Sequence, residues 1–145
     1  VVGPRQTGAY GMVLPRFVGA ALRGEPLIVH DDGQQVRCLA HVDDVIKAVA
    51  TLVETPTAAG RVYNIGSDVP VSILGLAERV RQRVNPEAKI EFQSYSDAYD
   101  DSFEDIRRRV PDLTRIRDAI DYAPTKDLDA IIDSVSEFQR NLVDA

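Results

Sequence analysis

The sequence has no tryptophan, a single cysteine and two histidines in 145 residues. Each shortage removes a class of function. Binding duplex or single-stranded nucleic acid calls for a basic stripe, usually with stacking aromatics. Here aromatics make up 6% of the chain and the formal net charge is −6, with 23 acids against 17 bases, so no nucleic-acid partner is expected. Cys38 cannot close an internal disulfide. With only His30 and His41 beside it there is no structural-zinc spacing, so the thiol reads as buried and structural and no metal is expected. No apolar run approaches the roughly 20 residues of a membrane span, and the N-terminus lacks a signal-peptide pattern. A cytoplasmic protein with no membrane partner is the default expectation. What is present, 44% hydrophobic and 28% charged residues, suits one globular domain with a core.

"VVGPRQTGAYG" reads as the end of a strand followed by a loop, with the start of the fold elsewhere. "MVLPRFVGAALRG" predicts a helix that tolerates Pro15 in its first turn and ends at Gly24. "PLIVHDDGQQVRCLAHV" predicts two strands, Leu27 to His30 and Val36 to His41, joined as a hairpin through the polar "DDGQQ". Asp43 or Asp44 can cap a following helix whose Val45, Ile46, Val49, Leu52 and Val53 recur at helical spacing. "RVYNIG" is the next expected strand. Ser72 then caps a helix with Ile73, Leu76, Ala77, Val80 and Val84 on one side. After "KIEFQ" an irregular polar stretch leads to two helices, around 113–120 and 128–142. The pattern is α/β with a loop-rich segment in its second half.

Within that segment "FEDIRRRVPD" places three consecutive arginines in an acidic chain. Read as charges alone, Arg107 to Arg109 neutralise Glu104, Asp105 and Asp112 on a solvated loop. A second use is recognition of a phosphorylated ligand by guanidinium forks. "VVGPRQ", "GEPLIVHDDGQQVRCLAHVDDV", "GRVYNIGSDVPVSILGLAERV" and "RRRVPDLTRIRDAIDYAPTKDL" occur in this order. Together they resemble the C-terminal part of an extended short-chain dehydrogenase/reductase, the NAD-dependent nucleotide-sugar epimerase and dehydratase family.

The resemblance implies an α/β fold: a mixed small substrate-binding domain over residues 1–145, plus elements that pack on a Rossmann sheet, with the NAD-binding portion absent from this stretch. It implies a parent enzyme that handles a UDP-sugar, with UDP-glucose 4-epimerase as the leading reading. dTDP-glucose 4,6-dehydratase and UDP-glucuronate decarboxylase are alternatives, and a non-catalytic nucleotide-sugar-binding subunit is the alternative from outside enzymes. NAD belongs to the parent and is not expected to bind tightly to this chain alone. The partners implied are the nucleotide-sugar and either the Rossmann half or a second copy, because the apolar faces at Val45 to Val53 and Val62 to Ile65 would otherwise be uncovered.

By the same resemblance Arg37 and Arg109 hold the diphosphate. Leu27, Ile28 and the following residues to His30 line the nucleobase, His30 standing where an aromatic Tyr or Phe is usual. Asp112 hydrogen-bonds ribose or orients Arg109, or else caps the helix near Thr114. His41 reads as a satisfied structural histidine, and Tyr95 and Tyr99 as residues able to close over a sugar. No catalytic residue is assigned. Tyr122 and Lys126 mimic the family's Tyr-x-x-x-Lys spacing, but Pro124 between them breaks helical presentation.

Overall fold

The computed structural model describes residues 1–8, 12–94 and 106–143. Tyr95, Tyr99, Glu104 and Asp105 lie outside them, so the readings made there are not addressed.

Helix α1 (Val13–Arg23) buries Leu14, Phe17, Val18 and Ala21, the spacing of one helical face. Pro15 sits in its first turn, where a missing N–H costs nothing. Gly24 ends it in the left-handed region, φ 71°, and donates its N–H to the carbonyls of Ala20 and Ala21. Strands β1 (Leu27–His30) and β2 (Val36–Cys38) precede helix α2 (Val42–Glu54) and a short 3-10 turn at Pro56–Ala58. Then come β3 (Pro70–Ser72), α3 (Ile73–Val84), β4 (Ile90–Gln93), α4 (Thr114–Ile120) and α5 (Leu128–Val143). Ser72 caps α3 as expected, accepting from the N–H of Gly75 at 3.0 Å.

β1 and β2 do not form the expected hairpin. β1 pairs in parallel with β4, from Leu27↔Ile90 to His30↔Gln93, and β2 pairs antiparallel with β3. The connection between them explains this. Gly33 is left-handed (φ 66°), and a Cβ there would lie 2.7 Å from Val29 Cγ1 and 3.0 Å from Leu74 Cβ. The tight turn presents the carbonyls of Gly33 and Gln35 to the N–H groups of Leu74 and Ile73, both at 2.9 Å. The segment therefore docks on the start of α3 rather than folding β2 back along β1. "RVYNIG" is not a strand either. The segment is held by side chains: Arg115 donates to the Val62 carbonyl at 3.0 Å and Asn64 donates to the Asp112 carbonyl at 3.0 Å.

The main core joins α1, α3, α5 and β1 through Phe17, Val18, Leu27, Leu76, Ile132 and Val135. Arg79 and Arg83 on α3 clamp Asp129 and Asp133 on α5 across its surface. These pairs are solvent-facing, so they orient the helices more than they stabilise them. A smaller cluster of Ala48, Leu113, Ile116 and Tyr122 ties α2 to α4. The outward face of α2 is left uncovered: Ile46 is 61% exposed and Val53 81%.

The α2 cap is neither Asp43 nor Asp44. His41 is the N-cap residue, its Nδ1 accepting from the Asp43 N–H at 3.2 Å, while Nε2 sits 3.0 Å from Ser134 Oγ. Asp44 is buried and faces away, taking the Thr125 hydroxyl at 2.7 Å and the Lys126 N–H at 3.0 Å. A carboxylate one residue too far along to reach the first N–H groups serves instead as the anchor of the strap between α4 and α5.

Candidate functional site

A cleft of about 490 Å³ opens beside β2, where Arg37, Cys38, Ser67, Arg108, Arg109 and Pro111 are among its walls. Three arginines thus line one depression of a chain whose net charge is −6. The fold brings them together through a short parallel docking of residues 107–109 on β2. The Val36 N–H donates to the Arg107 carbonyl at 2.7 Å, and the Arg109 N–H donates to the Val36 carbonyl at 3.2 Å. Val36 is the bridge partner of Arg108. In extended backbone successive side chains alternate, so Arg109 shares a face with Arg107, and Arg108 takes the opposite one with Val36 and Cys38.

Arg37 is half-buried, and its Nη1 donates to the carbonyls of Ile106, at 2.8 Å, and Val36, at 2.9 Å. Arg107 is spent on an acid: it donates to Asp32 at 2.9 Å, and its guanidinium pKa is raised by that hydrogen bond. Asp32 is lowered first by the Gln34 N–H and then by Arg107. The other acid near the cleft, Asp68, is held bidentate by Arg117 at 2.9 and 3.1 Å. Among the described residues no carboxylate pairs with Arg108 or Arg109. Positive charge that no described carboxylate neutralises, as at Arg108 and Arg109, in a concave site is the arrangement expected where an anion docks.

The expected site residues divide on this map. Arg37 and Arg109 line the cleft together. Arg108, read from sequence as surface charge, lines it too. β1 lies outside its walls. Leu27 is fully buried in the core, with its N–H donated to the Lys89 carbonyl at 2.8 Å, so its side chain has no ligand-facing surface. Ile28 and His30 share the half-buried face of β1. Burial, and then the charge of Arg16, lowers the His30 pKa, which favours the neutral ring at pH 7. Asp112 uses its Oδ1 to accept the Thr114 N–H at 2.8 Å, an Asx turn leading into α4, whose N-cap residue is Leu113. That N–H, followed by the Thr114 hydroxyl, lowers its pKa.

Cys38 is half-buried in the cleft wall rather than fully buried. Burial raises its thiol pKa, Asp68 adds to this and Arg108 opposes it. Tyr122 and Lys126 do not form an acid–base pair. The Tyr122 hydroxyl donates to the Gly66 carbonyl at 2.7 Å, and burial, then Asp44, raises its pKa. A phenol that must lose its proton needs the opposite shift.

A second depression, about 500 Å³ and mainly apolar, runs along the exposed side of α2 between Val49, Val53, Tyr63 and Ile65.

Residues 1–66 match the family model described as the NAD dependent epimerase/dehydratase family. The UDP-N-acetyl-alpha-D-glucosaminuronate decarboxylase of Bacillus cytotoxicus is 34% identical over 125 residues, 86% of this chain and 39% of the relative. UDP-glucuronic acid decarboxylase 4 of Arabidopsis thaliana is 33% identical over 84% of this chain and 26% of its own length. The chain therefore spans about a quarter to two-fifths of these relatives. Among solved structures, UDP-glucuronic acid 4-epimerase from Bacillus cereus, in complex with UDP-glucuronic acid and NAD, superposes with a TM-score of 0.83. That match has 24% identity and covers 97% of this chain and 42% of that one.

Proposed function

The chain belongs to the NAD-dependent epimerase/dehydratase family, and from that premise we propose that its arginine cleft holds the diphosphate of a UDP-sugar, in the substrate-binding part of an enzyme that decarboxylates a UDP-hexuronate. The observation that carries the reading is the meeting of Arg37 and Arg109 in one cleft, although they lie far apart in the chain. A solvated run of charge needs no such convergence. The names of the two curated relatives support the decarboxylase alternative over the UDP-glucose 4-epimerase reading.

Arg37, held by two carbonyls, presents a fixed guanidinium edge, and Arg109 approaches from the docked segment beside it. Bidentate, charge-assisted hydrogen bonds to the phosphates would fix the sugar's position, which is how such residues serve a reaction at an atom they do not touch.

NAD supplies hydride chemistry in this family, but the residues here do not build its cradle. No two of the nine glycines stand two positions apart, so the G-x-G start of a dinucleotide turn does not occur in the sequence. In the one Tyr-x-x-x-Lys spacing the Tyr122 hydroxyl is given to the Gly66 carbonyl, and Lys126 is fixed through its backbone N–H, which donates to Asp44. Accordingly this chain is assigned substrate binding and positioning, and no redox step. The uncovered face of α2 would pack against the dinucleotide-binding part of a longer polypeptide.

Isothermal titration of UDP tests the diphosphate assignment. Arg37→Ala and Arg109→Ala should each weaken binding by about 1.5 to 3 kcal/mol, the range for hydrogen bonds to charged groups, and Arg107→Ala should do much less. Unchanged affinity in both of the first two variants refutes the assignment. Release of CO₂ from UDP-glucuronate, by a longer polypeptide joining these residues to a dinucleotide-binding part, tests the reaction.

A further inference from the structure

We propose that Arg117 is a positioning residue for anion binding: by gripping Asp68 it keeps that carboxylate off Arg108 and Arg109, and so keeps the cleft open to a phosphorylated ligand. The inference rests on the UDP-sugar reading above and adds a residue outside the cleft on which the charge inside it depends.

Three observations lead to it. First, Asp68 follows Ser67, a residue of the cleft wall, and its charge acts on the Cys38 thiol in the same wall. Arg108 acts on that thiol too, with the opposite sign. An acid and a cleft arginine are thus within electrostatic reach of one sulfur. Among the described residues, however, Asp68 pairs with Arg117 and with neither Arg108 nor Arg109. Second, Asp68 is held at two points. Nη1 and Nη2 of Arg117 donate to its Oδ2 and Oδ1 at 2.9 and 3.1 Å. Parallel hydrogen bonds of this kind fix direction as well as distance. The hydrogen bond from Arg117 is the main cause of the lowered Asp68 pKa, so the side chain is an anion at pH 7 and would compete for a guanidinium once released. Third, the grip has a firm base. Arg117 stands on α4, where Ile116 is fully buried, and Tyr122 just beyond the helix donates its hydroxyl to the Gly66 carbonyl of the cleft wall at 2.7 Å. The wall is therefore anchored without the Asp68 pair, and losing the pair redirects a side chain rather than dismantling the site.

Calorimetric titration of UDP into the chain, its Arg117→Gln and Asp68→Asn variants and the double variant tests the assignment, with circular dichroism to confirm that each is folded. Arg117 and Asp68 side chains are 45% and 36% exposed, so the effect is that of one solvent-facing ion pair. Arg117→Gln should weaken UDP binding by about three- to fivefold. Asp68→Asn alone should change it by less than about twofold, because the carboxylate is already withheld, and adding it to Arg117→Gln should recover most of the loss. Arg117→Lys, which keeps the charge without the planar fork, should lose an intermediate amount. If Asp68→Asn strengthens binding equally in both backgrounds, the two charges act independently at a distance and the proposal is overturned. It is overturned as well if the double variant binds as weakly as Arg117→Gln, since the pair then only props the wall. Cys38 is the sole cysteine, so its alkylation by iodoacetamide at pH 8 is a readout that needs no UDP. Asp68→Asn should speed alkylation more in the Arg117→Gln background than in the unmodified one, because only a released Asp68 offsets Arg108 fully. A chain that binds no UDP yet shows this excess refutes the UDP-sugar reading and supports the positioning role, whereas equal acceleration in the two backgrounds overturns the role.

Discussion

Replacing Tyr122 with Phe separates a structural role from a catalytic one, because it removes a single oxygen from a residue that carries the family's spacing. The ring would keep its packing against Ala48, Leu113 and Ile116. What disappears is the 2.7 Å hydrogen bond from its hydroxyl to the Gly66 carbonyl, between two buried residues. A neutral hydrogen bond contributes about 0.5 to 1.5 kcal/mol net, and a buried carbonyl left without a donor costs about 1 to 3 kcal/mol. Gly66 lies in the cleft wall, where water can reach part of it, so the lower part of that range applies and about 1.5 kcal/mol is expected. Urea unfolding followed by circular dichroism reads this directly: the midpoint should fall with the slope unchanged. UDP affinity at low temperature, where the variant is folded, should stay within about twofold of the unmodified chain, a small change on the scale of tenfold per 1.4 kcal/mol. If Tyr122→Phe unfolds at the same midpoint, yet abolishes turnover in a longer polypeptide that is otherwise active, Tyr122 is a reacting group and its structural reading is wrong.

Asp44→Asn should cost about 2 kcal/mol at pH 7, since it weakens the acceptor for Thr125 and turns an amide donor toward one of the two groups that donate to it. Burial works to raise the Asp44 pKa, but the hydrogen bonds from Thr125 and Lys126 outweigh it and the folded value is lowered. The stabilisation is therefore fully present above the unfolded value of about 3.9 and lost as pH falls through the folded one. Unfolding midpoints of the two proteins measured from pH 7 downward should converge in acid, and a constant gap would refute the carboxylate anchor. The uncovered face of α2 predicts that the isolated chain self-associates and that Val53→Asp shifts it toward monomer in light scattering, with a strictly monomeric unmodified chain at high concentration as the contrary result.

Helices were the legible part of the sequence, since their signals are local: the apolar spacing of α1, Gly24 at its end and Ser72 at the start of α3 all appear where the pattern puts them. Strand pairing was not. "DDGQQ" between two apolar runs has the composition of a hairpin turn, but the partner of β1 is β4, and nothing local to residues 27–38 encodes that distant segment. "RVYNIG" has strand composition without a neighbouring strand among the described residues, so composition alone misled. At the site, Arg37 and Arg109 could be named from motif positions, whereas Arg108 could not be told from Arg107. Their difference is set by which acids are already taken, Asp32 in one case and Asp68 in the other, and by the alternation of an extended segment docked on β2. Asp44 was misread because a helix-start carboxylate usually caps, and only the tertiary approach of residues 125–126 gives it other donors.

The two arginines of the proposed diphosphate clamp differ in how much freedom they have left to lose. A free arginine side chain carries about 2 kcal/mol of rotamer entropy. For Arg37 much of that is already surrendered, because its Nη1 is moored to the Val36 and Ile106 carbonyls before any ligand arrives. Arg109 is exposed, with only its backbone fixed to β2. The clamp thus has one rigid jaw and one that orders on contact. An anion reaching the cleft meets a preorganised receptor on the Arg37 side and must immobilise Arg109 on the other, so equal hydrogen bonds at the two ends would leave unequal net contributions, larger at Arg37.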